Sequence, residues 1–380
     1  MKFAHLALLL GLSASAAGGA DYAPPPPAQA PIALLVDLSA GRTLFARDAD
    51  RRILPASMTK AMSALVAFDL IAAGRLHEDA IITVRPETAA RWAGKGTTLN
   101  LRPGEQVSVR ELLQGLNTVS ANDAAVALAE GALGSTDAWV AAMNDRARQL
   151  GMTGSHFANP NGFPDRGATY VTARDMVVLA EALIVQHPEL YRRYIGKQAM
   201  EWRGARLVSH DPFAGVLPGA DGIKTGHTFE AGFNFLGAAR RDGRRLVLVI
   251  GRSPTEPGRA AAARNLAEWG YWAWDSRPFL TPQSIVGAAR VQDGDAREVP
   301  LTVARPYAFV FPRGQDPQPT GRIVYIGPIR APITKGQPVA RLEIAQPGQE
   351  PYSVPLVAAR AVDKAGPIDR LTNGLLGLFQ

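Results

Sequence analysis

The sequence predicts an α/β (α+β) domain, with a central antiparallel sheet flanked by helices, followed by a small all-β domain. Three observations carry that prediction. Helical stretches with apolar faces fill the middle of the first 275 residues, and short strand runs stand at both ends of that segment. Beyond Arg277 the helical periodicity disappears and Pro and Gly recur every few residues between short β-rich runs. Of the 380 residues, 47% are hydrophobic and 20% charged, which excludes a disordered chain. The absence of a Gly repeat and of heptads excludes collagen and coiled coil.

Residues 1–20 read as a secretory signal: Lys2, an apolar run from Phe3 to Leu12, then small residues with cleavage after Ala16 or Ala20. The run is shorter than the roughly 20 residues that span a bilayer. Residues 21–31 form a linker that Pro24–Pro27 keep extended. A domain over 32–275 follows. It opens with a strand pair, 32–36 and 41–45, turning at Ser39-Ala40-Gly41. A strong helix covers 57–73 and stops at Gly74. Ser108 and Glu111 make a capping box for a helix to about Leu116. Three more helices are predicted over 123–133, 137–150 and 173–186, starting from Asn122, Thr136 and Thr172. Strands follow at 222–225, 232–239 and 245–251, the last two joined at Asp242-Gly243. A helix opens at Pro257 and runs to about Trp274. The β-rich domain occupies 276–365, with strands near 308–311, 322–326, 338–344 and 352–357.

Three short motifs could carry chemistry. Ser57-Met58-Thr59-Lys60 opens a helix, and a spacing of three puts hydroxyl and ammonium on one face. A serine is a poor nucleophile without a neighbouring base, and a lysine can be that base once burial and nearby cations lower its pKa. Ser120-Ala121-Asn122 lies between two helices. Its residues suit either an ordinary N-cap or a proton relay at Ser120 and an amide-holding Asn122. Lys224-Thr225-Gly226-His227 ends a predicted strand. Lys224 and Thr225 offer a charge and a hydroxyl, and Gly226 leaves room for a substrate backbone. A protective lysine on an edge strand would give the same pattern. Each motif alone is weak.

Together they keep the order and setting of Ser-x-x-Lys, Ser-Asp-Asn and Lys-Thr-Gly, with Ala121 in place of the middle Asp. With Pro55-Ala56 before the first motif, Asp123-Ala124 after the second, Ser155-His156-Phe157-Ala158-Asn159-Pro160-Asn161-Gly162, and Asp221-Gly222-Ile223 before the third, the chain resembles the low-molecular-mass (class C) penicillin-binding proteins. These are the D-alanyl-D-alanine carboxypeptidases of peptidase family S11. The likeness runs from about Ile32 to Trp274; the remainder is similar to that family's second domain. It implies a serine β-lactamase/transpeptidase-like catalytic fold.

The resemblance also implies roles. Ser57 would attack the carbonyl of the penultimate D-Ala in a peptidoglycan stem pentapeptide. Lys60 would take its proton, and Ser120 with Lys224 would return one to the leaving D-Ala. Backbone N–H groups of Ser57 and His227 would form the oxyanion hole. Asn122 would hold the peptide amide, and Thr225 and Arg259 the terminal carboxylate, with Arg252 a competitor for that role. The 92–100 stretch would form the rim of the site. β-Lactams would acylate Ser57. A D,D-endopeptidase, a serine β-lactamase and a non-catalytic cell-wall scaffold are the alternatives.

Ser–His–Asp chemistry is disfavoured because no nucleophile elbow surrounds Ser57, and His227 is read as shaping the site. No His pair has ligand spacing and there is no Cys, so neither metal nor cofactor is expected. The net charge of +7 is spread out, which disfavours nucleic acid. In the tail, 366–380, Leu371, Leu375, Leu376 and Phe379 fall on one helical side, the pattern of an amphipathic foot on a membrane face. The expected location is therefore the periplasm, attached to the outer face of the inner membrane.

Overall fold

A computed structural model describes residues 22–366. The signal at 1–20 and the amphipathic pattern from Pro367 to Gln380 lie outside the described residues.

The predicted central sheet is present and entirely antiparallel. Its order is Arg42–Arg47, Ile32–Asp37, Arg244–Ser253, Gly232–Arg241, Ala220–Thr228. The chain therefore places its first and last strands side by side in the middle, and Ala220–Thr228 at an edge. Arg244–Ser253 reads as a continuous apolar run because both of its faces are covered. Val247 and Val249 face the larger helical core, while Leu246, Leu248 and Ile250 pack with Ala262, Ala263 and Leu266 of the helix Glu256–Trp272. Gly270 lets that helix close on the sheet, since a Cβ there would stand 2.6 Å from Leu35 Cδ2.

The helix Lys60–Ala72 is apolar almost all round and is buried at the centre of the helical layer. Around it lie Val109–Thr118, Asn122–Leu133, Thr136–Gln149 and Ala173–Gln186. The capping box at Ser108 and Glu111 and the cap at Thr172 form as predicted. The Thr136 start shifts by one: Ser135 is the cap, accepting from Ala138 N–H. Helices Pro86–Trp92 and Pro188–Tyr194 and the hairpin Ala199–Trp202/Ala205–Val208 were not predicted. Each is too short to show a period.

The last helix ends at Trp272, and the strand Trp274–Leu280 leaves directly from it to pair with Tyr307–Pro312. The rest of the C-terminal part is a six-stranded sheet with its own core around Val299, Leu301, Phe309, Val354 and Leu356. Two arginines join the parts. Arg305 donates to the Leu38 carbonyl (2.7 Å) and to Glu181 (2.8 Å), and Arg42 lies over the Trp274 ring and reaches Gln349. No helix among the described residues is long and apolar enough to cross a membrane.

Candidate active site

Ser57 sits in a tight 3-10 turn, Ala56–Thr59, that runs straight into the helix Lys60–Ala72. Two glycines from distant segments clamp this turn. A Cβ on Gly162 would stand 1.8 Å from the Ala56 carbonyl oxygen, and one on Gly226 would stand 2.2 Å from that of Pro55. The smallness of Gly226 thus serves close approach of the edge strand to the serine turn, rather than the open room for substrate that its sequence suggested. Ala56 and Ser120 both adopt left-handed backbone, at φ 48° and 66°. Such strain costs on the order of 1–3 kcal/mol per residue and collects at functional sites.

Lys60 is fully buried, and its Nζ meets three oxygens: Ser57 Oγ (2.9 Å), Asn122 Oδ1 (2.7 Å) and the Asn161 carbonyl (2.7 Å). Burial, with the positive charge of Lys224 nearby, pushes the Lys60 ammonium well below its ordinary pKa, and Asp123 offsets this in part. A neutral amine has two protons and one lone pair. Asn161 offers only a carbonyl. The Asn122 amide is oriented by its Nδ2, which donates to the Lys95 carbonyl (3.1 Å), so Oδ1 is left to accept. The lone pair of neutral Lys60 must then face the Ser57 hydroxyl, which is the geometry of a general base.

Ser120 and Asn122 do not cap the helix that follows. Its N-cap is Ala121, which makes no side-chain bond, so neither polar side chain is spent on capping. Asp123, to which sequence gave no role, fastens the rim. Its carboxylate accepts from Leu99 N–H (2.9 Å) and Leu101 N–H (3.0 Å), while Asn122 N–H donates to Thr97 O (2.8 Å). The 92–100 stretch therefore does border the site, where Gly96 and Thr97 line it. Asn161 was also missed as a functional group; the compact Asn-Pro-Asn-Gly turn was its only signal. Ser63, on the same helix as Lys60, holds the Pro160 carbonyl at 2.6 Å.

Ser57, Ser120, Asn122, Thr225, Gly226, His227 and Arg259 all line one cleft of about 420 Å³. Lys60 lies under its floor and Lys224 behind its wall, with Lys224 Nζ donating to the Thr225 carbonyl (3.1 Å). His227 is exposed and stacks on Phe233 (3.9 Å between centroids). Arg252, the competitor of Arg259, is exposed and outside the cleft lining, whereas Arg259 is buried in its wall. Sequence gave no hint of Asp211, which burial raises to about 6 while Arg259 and Lys224 draw it down. Glu256, His210 and Phe163 are further lining residues that the motifs did not indicate.

Burial lowers Lys224 to about 7, with Asp211 opposing and Arg259 adding to the shift. Its folded pKa thus lies below the ordinary 10.5, so between those values the folded protein binds fewer protons than the unfolded chain. Folding then becomes more favourable as pH rises through that window. The wild type is expected to gain stability over Lys224→Met from pH 7 to 10, by up to about 1 kcal/mol per pH unit. Denaturant titrations of both proteins across that range check it; a flat difference would contradict a desolvated Lys224.

Two family profiles match the chain: D-alanyl-D-alanine carboxypeptidase over residues 20–254, and penicillin-binding protein 5, C-terminal domain, over 274–364. The chain is 32% identical over 370 residues to the D-alanyl-D-alanine carboxypeptidase DacD of Salmonella typhimurium, covering 95% of this chain and 93% of that protein. Among solved structures, it superposes on penicillin binding protein 5 from Haemophilus influenzae with a TM-score of 0.76 and 28% identity, covering 90% and 99% of the two chains. It also matches penicillin-binding protein D2 from Listeria monocytogenes in its ampicillin-bound form (TM-score 0.57, 30% identity, 64% and 97% covered). With profiles matched along both parts and a full-length relative of this identity, the chain belongs to the D-alanyl-D-alanine carboxypeptidase family.

Proposed function

We propose that this protein is a serine D,D-carboxypeptidase that removes the terminal D-alanine from peptidoglycan stem pentapeptides and is acylated by β-lactams. The observation that carries the reading is the buried Lys60 Nζ, 2.9 Å from Ser57 Oγ.

The substrate lies as an added strand along the free edge of Ala220–Thr228. Its penultimate carbonyl rests on the backbone N–H groups of Ser57 and His227, where single donors are typically worth about 3 kcal/mol. Lys60 takes the Ser57 proton as Oγ attacks. The bond to the terminal D-alanine breaks, and its nitrogen receives a proton through Ser120, which lines both the cleft and a small cavity that Lys224 also borders. Asn122 holds the peptide amide; Thr225 and Arg259 hold the terminal carboxylate, for which a forked guanidinium is suited. Water then hydrolyses the acyl-enzyme. In class A β-lactamases a glutamate activates that water. The three oxygens around Lys60 Nζ here include no carboxylate, which favours slow deacylation of penicillins over a β-lactamase role. The signal pattern read at 1–20 and the amphipathic pattern at 366–380 support a periplasmic enzyme with a peripheral foot on the inner membrane.

The test is to incubate the purified protein with benzylpenicillin and with a peptide ending in D-Ala-D-Ala. The expected result is a stable acyl adduct on the tryptic peptide that contains Ser57, together with release of D-alanine. No adduct and no released D-alanine would sink the proposal.

A further inference from the structure

Glu256 is the one carboxylate lining the cleft among the described residues, and the catalytic motifs leave it without a role. It opens the helix Glu256–Trp272, one turn before Arg259. Its Oε1 accepts from Arg259 Nη2 at 3.1 Å. The two partners are unequal. The Arg259 side chain is 4% exposed and the Glu256 side chain 55%. The Nε of Arg259 is buried and has no acceptor among the described residues. The guanidinium is thus fixed in the wall, incompletely satisfied, and half-engaged by a carboxylate that solvent can reach.

We propose that Glu256 is a specificity-tuning residue that competes with the carboxylate of the incoming ligand for Arg259. In the empty cleft it satisfies one guanidinium N–H and keeps the fork aimed. When a ligand carboxylate arrives, Glu256 must give up that contact and remain nearby as a like charge, so the terminal carboxylate is held less tightly than Arg259 alone would hold it. The free leaving group, itself a carboxylate, is then displaced quickly. This rests on the carboxypeptidase reading, in which Arg259 meets the terminal carboxylate.

Glu256→Gln is the test, because the amide oxygen still accepts from Arg259 and only the charge is removed. For a peptide ending in a free D-Ala-D-Ala carboxylate, KM is expected to fall at least threefold with kcat within twofold of wild type. The acylation rate by benzylpenicillin should rise at least threefold, while acylation by its methyl ester, which lacks the carboxylate, should not change. Glu256→Asp keeps the acid at the helix start but draws it back from Arg259, and should also lower KM at least twofold. A KM at or above wild type in both variants overturns the proposal, as does an equal gain with the methyl ester. A wild type that neither releases D-alanine nor is acylated is seen before any variant is made and removes the carboxypeptidase reading with it.

Discussion

Lys60→Met is expected to slow acylation by benzylpenicillin and release of D-alanine by about 10³-fold or more, with the protein still folded. The size follows from what the lysine supplies. A positioned base contributes about 10²–10⁴-fold, and groups that act as a unit lose more when one is removed. Ser57→Ala removes the nucleophile itself and should leave neither signal. Methionine is unbranched, one heavy atom shorter than lysine, and suits the apolar surroundings of the central helix, where Met58, Met62 and Leu65 are buried. It ends the cost of holding an amine out of water, but strands the Asn161 carbonyl and Asn122 Oδ1, each worth about 1–3 kcal/mol when buried unpaired. The two changes oppose each other, so the melting temperature should move far less than the rate. Timed mass spectrometry of the adduct beside a thermal melt separates the two. Acylation within tenfold of wild type would show that another group takes the serine proton.

Gly162→Ala should be nearly as damaging for a different reason. The new Cβ would stand 1.8 Å from the Ala56 carbonyl oxygen and 2.8 Å from Thr59 Oγ1, at a φ of 74° that alanine resists. Ala56 is the residue before the nucleophile, so any backbone shift that relieves the clash moves Ser57. The expected result is a loss of about 3 kcal/mol in unfolding free energy together with a large drop in acylation rate. Gly151→Ala is the control. Its φ is 75° but nothing lies within 4 Å of the added carbon, so only the conformational cost of about 1 kcal/mol remains, with acylation unchanged. Equal effects at the two positions would mean that the clash with the serine turn is not the cause.

Much of this molecule is legible in one dimension. The strand run at 245–251, the capping box at Ser108 and the long helices came through because their signals are local: periodicity, side-chain caps and turn residues. The short elements did not, since the 7 residues of Pro188–Tyr194, about two turns, carry too little pattern to rise above the surrounding loops. Function was read the same way. Three motifs in order identify the chemistry because serine, lysine and amide types are needed whatever holds them.

The preference for Arg259 over Arg252 came from resemblance, and the local residues carry no physical reason for it. The two arginines lie seven positions apart, each directly after a glycine, and only the packing of the last helix against the sheet turns one into the cleft wall. The role of Gly226 was likewise settled by a carbonyl 171 positions earlier, at Pro55.

The sequence by itself determined the residue types of the reaction, the elements that bear them and the separate β-rich ending. The tertiary structure decided the state of those residues. Lys60 can act as a base because packing buries it completely and brings Lys224 near it, while the Asn161 carbonyl and Asn122, from two other distant segments, orient its amine. A pKa depends on desolvation and on charges a few ångströms away. Those distances exist only once the chain is packed.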